Sequence, residues 1–301
     1  MNRRLYSACA IFVIAAATQC TTEQIMNFDK LEYLKAELEE APETLTIDAT
    51  GQALYESHTN AHQPDRPEIG NYETKLDDDE LAHLRSRLSS PPIRDQPDHW
   101  GKVMPSDHYK RIRVTAGSEK IEKLFGTTAP IAPGARDLLD QLDRVASAVS
   151  HYPRETLAIE LSQIVVGSSR SATGLLKLSN SGTKTAFCRH PGSMIDAPDG
   201  SLVLEVWPDK PTSTLHAADV VTFNVRRVTR VKKADVDEMD ARVIKIPSKG
   251  SVDFRLEATF PSATAGGYVI RVTYESFVSQ LGGRQVIYGQ LYSRTIKVAI
   301  F

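Results

Sequence analysis

The chain has 301 residues, 41% of them hydrophobic and 25% charged, with a formal net charge of −2. That hydrophobic share supports packed cores rather than a disordered chain, and the length suits two compact domains better than one. The weak acidity argues against nucleic acid or another polyanion as partner.

The first element is a leader. Arg3 and Arg4 precede an uncharged apolar run from Ala8 to Thr18 that contains the small residues Ala15, Ala16 and Ala17. This is the layout of a secretory signal, and the run is shorter than the roughly 20 apolar residues of a transmembrane helix. The stretch Ala17-Thr18-Gln19-Cys20 resembles the lipobox of bacterial lipoproteins, although Gln19 stands where that family usually has a small residue and Ala17 where it usually has Leu. The resemblance covers about the first twenty residues. It implies cleavage before Cys20, lipidation of Cys20 and attachment to a bacterial envelope through that lipid alone. The alternative cut, after Ala17, leaves a soluble periplasmic protein. Removing residues 1–19 takes away two arginines and no acid, so 34 basic side chains face 38 acidic ones. Cys9 leaves with the leader. With Cys20 acylated, Cys188 is an unpaired and buried thiol; without the lipid, a Cys20–Cys188 disulfide is open.

Residues 20–42 read as a polar, acidic tether. Within them Phe28, Leu31, Leu34 and Leu38 fall at helical spacing while Leu31 and Tyr33 alternate, and the helical reading is preferred. Residues 43–150 read as a small α+β domain of β-hairpins and two helices. Leu45 and Ile47 alternate before the turn residues of "DATG", and Ala53 to Glu56 returns the hairpin. A polar loop, 58–76, follows. Asp77 and Glu80 have capping-box spacing ahead of Leu81, Leu84 and Leu88, which predicts a helix. "HYKRIRVT" and "KIEKLFG" bracket a turn at 116–119, and Leu138, Leu139, Leu142, Val145, Ala146 and Val149 mark an amphipathic helix.

After "SHYPRET", 150–156, helical periodicity gives way to alternation. Leu157, Ile159 and Leu161; Leu202, Leu204 and Val206; Val252, Phe254 and Leu256; and Ile270, Val272 and Tyr274 each mark a strand buried on one face. Seven to nine such strands over residues 156–301 predict an antiparallel β-sandwich. "GLLKLSNSGTKTAF", with Asn180 and Gly182 at its turn, and the later "GGYVIRVTYES", with Gly267 and Tyr268, resemble bacterial immunoglobulin-like modules. That resemblance implies an immunoglobulin-like sandwich and a role in binding, spacing or display; it remains an analogy of fold.

The chemistry-bearing motifs are few. Ser181 and Lys184 have the Ser-x-x-Lys spacing of penicillin-interacting serine enzymes, but Asn180-Ser181-Gly182 reads as a hairpin tip rather than a helix start. Ser106, Asp107 and His108 are triad residue types placed side by side, which argues for a loop. His58 and His62 face together only on a helix, and "ESHTNAHQP" is loop-like. Asp235, Asp237, Glu238 and Asp240 begin like a calcium loop but lack its turn glycine and closing glutamate. Arg226, Arg227, Arg230, Lys232 and Lys233 read as a charged edge hairpin. Glu160, His151 and His99 beside Trp100 have no evident connection. No catalytic residue, cofactor or metal site is assigned, and Cys20 is the single modification site.

These observations lead to an exported, non-enzymatic envelope lipoprotein that acts as a structural module or as one that binds another envelope protein. The first alternative is a periplasmic inhibitor or immunity protein that inserts loop 58–76 or loop 183–200 into a hydrolase. The second is an envelope hydrolase built on His58, His62, Asp107 and His108.

Overall fold

The computed structural model describes residues 26–36, 42–61, 67–90, 93, 98–100, 108–126, 131, 133–167, 171–210, 219–231, 240–259 and 266–300. Cys20 and the leader lie outside them, as do His62, Ser106, Asp107 and residues 232–239. Among the described residues the protein is mostly antiparallel β-sheet with two helices of more than one turn.

The N-terminal half contains β1 (Lys30–Ala36), β2 (Glu43–Asp48), β3 (Gln52–Ser57), β4 (Glu68–Lys75), α1 (Asp78–Ser89), β5 (His99–Trp100), β6 (Tyr109–Ala116), β7 (Glu119–Gly126) and α2 (Pro133–Val149). The hairpin β2–β3 turns on Asp48, whose carboxylate accepts from the Thr50 and Gln52 amides. Helix α1 starts where Asp77 accepts from the Glu80 amide at 2.7 Å. It buries Leu81, Leu84 and Leu88, and α2 buries Leu138, Leu139, Leu142, Val145 and Val149. Both helices lie on the sheet face that carries Leu31, Tyr33, Leu45, Ile47, Tyr55 and Tyr72, closing the first core. Asp143 fastens α2 to the sheet by accepting from Tyr33 Oη at 2.7 Å and Lys110 Nζ at 2.6 Å.

Two expectations fail here. Residues 30–36, assigned by sequence to a helix-leaning tether, form β1, paired with β2 on one side and β6 on the other. Two complete ladders outweigh weak helical spacing, and the alternation of Leu31 and Tyr33 wins because both reach the core. The supposed loop 58–76 contains β4, a strand that joins β3 to the C-terminal half.

That half contains β8 (Pro153–Val166), β9 (Ser171–Ser179), β10 (Ala186–Arg189), β11 (Gly200–Pro208), β12 (Val221–Arg230), β13 (Val243–Ile246), β14 (Ser251–Thr259), β15 (Gly266–Ser276), β16 (Gln280–Leu281), β17 (Arg284–Gln285), β18 (Gly289–Tyr292) and β19 (Ile296–Ile300). It is a sandwich. One sheet runs β8-β9-β14-β12, and the other runs from β12 through β11 to β15, which pairs with β18 and β19. Strand β12 belongs to both: residues 221–224 pair with β11, and after a bulge at Val225 and Arg227 the rest pairs with β14. A strand that switches sheets at a bulge is how sandwich corners are made. The arginines read as an edge hairpin therefore sit on this exchange strand. The second core, with Leu157, Ile159, Leu176, Phe254, Val272 and Tyr274, fills the space between the sheets.

The first sandwich sheet continues through β4 into the N-terminal half, so among the described residues fourteen strands form one path of hydrogen-bonded neighbours, with β19 branching from β15 as the fifteenth strand of the sheet. On β4, Ile69 belongs to the second core and Tyr72 to the first. Residues an odd number apart on a strand point to opposite faces, so the sheet changes its buried face at β4. Val149 belongs to the first core and Leu157 to the second, while β8 already pairs with β4 from Pro153 onward.

Candidate functional site

The change of face leaves a patch between the halves that belongs fully to neither core. Glu56 of β3 lies opposite Asn71 of β4, and Asn71 lies opposite Glu155 of β8, a row across three adjacent strands. Asn71 Nδ2 donates to Glu155 Oε2 at 3.4 Å. Beyond the end of β3 the chain crosses to β18, where Thr59 bridges Gln290 and the Gln290 amide donates to the His58 carbonyl at 2.8 Å. Asn60 copies a strand partner: its Oδ1 accepts from the Tyr292 amide at 2.8 Å, and its Nδ2 donates to the Tyr292 carbonyl at 3.0 Å.

This crossing tolerates no extra atom. A Cβ on Gly289 would lie 2.0 Å from the His58 carbonyl oxygen, and one on Gly70 would lie 2.2 Å from that of Glu155. Both glycines have positive φ, 127° and 135°.

The hairpin β16–β17 and residues 286–288 close over the acid–amide–acid row, enclosing a cavity of about 140 Å³. Glu56, His58, Asn71 and Glu155 line one side, and Phe187, Ser279, Gln285, Ile287 and Tyr288 the other. His58, only 6% exposed, stacks on the Tyr288 ring at 4.2 Å. Its Nδ1 lies 3.3 Å from the Tyr288 carbonyl, an acceptor, so Nδ1 carries the proton and Nε2 is an acceptor. Burial holds the His58 pKa below the ordinary imidazole value, against the pull of Glu56. Burial and then Glu56 push the Tyr288 hydroxyl up. The cavity is thus rich in acceptors, has no lysine or arginine among its described lining residues, and holds a neutral histidine. Among the described residues, no group of three or more His, Cys, Asp and Glu side chains is placed to hold a metal ion.

The other motifs are not brought together. His108 is exposed at the start of β6 and lines a separate, more apolar hollow with Tyr109, Phe125, Ile131 and Leu139. Strands β2 and β1 lie between β3 and β6, three inter-strand spacings or on the order of 14 Å, so His58 and His108 cannot share a proton. Ser181 Oγ donates to Glu68 Oε2 at 2.6 Å and contacts Thr156 Oγ1 at 3.0 Å. Lys184 meets this turn through its backbone, its amide donating to the Arg154 carbonyl and its carbonyl accepting from Asn180. The Ser-x-x-Lys spacing is therefore a hairpin tip. Glu160 and His151 are both exposed.

Asn180, 1% exposed, knots the hairpin tip: its Oδ1 accepts from the Thr156 and Gly182 amides, and its Nδ2 donates to the carbonyls of Lys184, Ile246 and Pro247. Cys188, on β10 opposite Ile244 of β13, is buried and forms no disulfide among the described residues, and burial pushes its pKa up, which keeps the thiol unreactive. The expected loop 183–200 is ordered packing instead. Arg189 is 3% exposed, held by Asp199 and Ser193, and Met194 is buried.

No family model and no curated protein matches the chain. Among solved structures it is similar to AvmM, which catalyzes macrocyclization in alchivemycin A biosynthesis, at 12% identity and a TM-score of 0.24, over 48% of this chain and 86% of that one. It is also similar to the extracellular portion of mouse CD200RLa, at 9% identity and a TM-score of 0.17, over 91% and 88% of the two chains. Both similarities are too distant to carry a fold or an activity to this chain.

Proposed function

We propose that the protein is an exported, non-enzymatic module of a bacterial cell envelope, tethered by a lipid on Cys20, that binds an envelope protein at the cavity between its halves. The leader and the lipobox-like stretch before Cys20 support export and anchoring. The antiparallel sandwich, with its strand exchange at β12, supports the immunoglobulin-like reading of the C-terminal half. The observation that carries the proposal is the cavity itself. Its frame is fixed by main-chain bonds on both sides, while the Glu56 carboxylate and the Nε2 of His58 make no hydrogen bond or ion pair to the described residues. A preformed frame with unused acceptors suits recognition.

Two measurements test this. Mass spectrometry of the mature N-terminus is expected to find a diacylglyceryl group on Cys20; a free residue 18 at the terminus would replace the anchor with a soluble form. A photocrosslinking residue in place of Gln285 is expected to trap a discrete envelope protein in cells, and the same residue in place of Asp79 on α1 is not. Equal trapping at both positions, or none, would overturn the binding site.

A further inference from the structure

We infer that the junction cavity is a receptor for a primary ammonium group, carried by a lysine side chain or a small free amine. The inference deepens the proposed binding role and rests on it for the cavity's purpose.

Size narrows the occupant first. A cavity of about 140 Å³ lies near the roughly 150 Å³ that accepts a benzene-sized group, and below the roughly 300–1,000 Å³ of sites for drug-sized ligands and cofactors. It therefore takes one side chain or a molecule of similar bulk. Nucleotides and oligosaccharides are too large.

Chemistry narrows it further. Glu56 sits at one end of the cross-strand row with no ion pair or side-chain hydrogen bond among the described residues. His58 contributes an Nε2 lone pair, because Nδ1 is committed to the Tyr288 carbonyl. Glu155 closes the far end, with Arg154 Nε at 3.6 Å offsetting part of its charge. Arg154 itself lies closer to Glu73, at 2.9 Å. The unused groups are acceptors, one of them anionic, so the complementary ligand is a cation with several N–H donors. An ammonium has three, and hydrogen bonds to a charged donor are the stronger kind. Phe187, Val286 and Ile287 supply apolar wall for the methylenes behind such a group. A carboxylate or phosphate would meet like charge at Glu56 and find no cation among the described lining residues.

The test is titration of the full chain with n-butylammonium, N-acetyl-lysine methylamide and the uncharged N-acetyl-norleucine methylamide, read by the NMR signals of the His58 ring and by calorimetry. Butylammonium and the lysine derivative are expected to shift the His58 signals saturably, and the norleucine derivative is not. Tighter binding of the lysine derivative points to a protein side chain, and tighter binding of butylammonium to a free amine. Glu56→Gln, at a partly exposed position, is expected to keep the melting temperature and weaken amine binding about tenfold. Equal binding of the norleucine derivative, or no response to either amine in a folded protein, would overturn the inference. If crosslinking at Gln285 still traps a protein when neither amine binds, the ammonium inference fails alone; if amines bind and no protein is trapped, the protein-binding role fails alone.

Discussion

The two halves of the molecule use opposite faces of one sheet. In the N-terminal half the buried face carries Leu31, Leu45, Tyr55 and Tyr72 under two helices, and the other face is a charge ladder in which Arg113 pairs with Glu32 and Glu122. Past β4 that second face becomes the interior of a sandwich, starting with Ile69 and Leu157. A sheet can change partners in this way where one strand serves both cores. The strip at the change is neither fully solvated nor fully apolar, and there Glu56, Asn71 and Glu155 meet under a hairpin. The cavity follows from the change of face.

The largest expected losses fall on residues that hold the halves in register. Gly289→Ala and Gly70→Ala place a methyl against immobile backbone at positive φ, and each is expected to cost about 3 kcal/mol or more in urea unfolding. A loss below about 1 kcal/mol would mean that the crossing is loose. Asn180→Ala strips partners from buried amides and carbonyls and is expected to cost about 3 kcal/mol. Ile69→Ala removes a fully buried side chain from the second core, with an expected loss of about 2–4 kcal/mol.

A smaller effect comes from protons. His58 and His190 are both held below the ordinary imidazole pKa, chiefly by burial, with Arg230 adding to the shift at His190. The unfolded chain therefore binds these protons more readily than the folded one. The stability they contribute is complete above about pH 6.5 and is lost as pH falls through that value toward the folded pKa. The urea midpoint should drop between pH 7.5 and pH 5, and less steeply in His58→Gln; equal slopes would remove His58 as a source. At the bottom of the scale, Lys297→Ala breaks an exposed pair with Asp209 and is expected to change stability by less than about 0.5 kcal/mol.

Much of this fold is legible in local sequence. The hairpin around Asp48, the capped start of α1, the apolar stripe of α2 and the alternating strands after Leu157 each declare themselves within a dozen residues, and each is present. Two of the misread stretches fail for a common reason. In β1 and β4 the deciding interactions are ladders with strands distant in the chain, and β4 reads as a loop because it contains Gly70 and Asn71 and divides its buried residues between two faces. The site is hidden in the same way. Asn71 and Glu155 are adjacent only through the β4–β8 register, so no spacing in the sequence announces them. His58 was legible as a residue of interest, but in the company of His62 and His108; its structural companions are Tyr288 and Glu56.

The central claim is that β4 makes one cooperative body of the two halves, and hydrogen exchange read peptide by peptide in the wild type and Ile69→Ala tests it most directly. The account predicts that this substitution in the second core lowers protection of β1 and α2 in the first core by the same free energy as protection of β9 and β14. Loss of protection confined to residues after 157, with β1 and α2 unchanged, would contradict it.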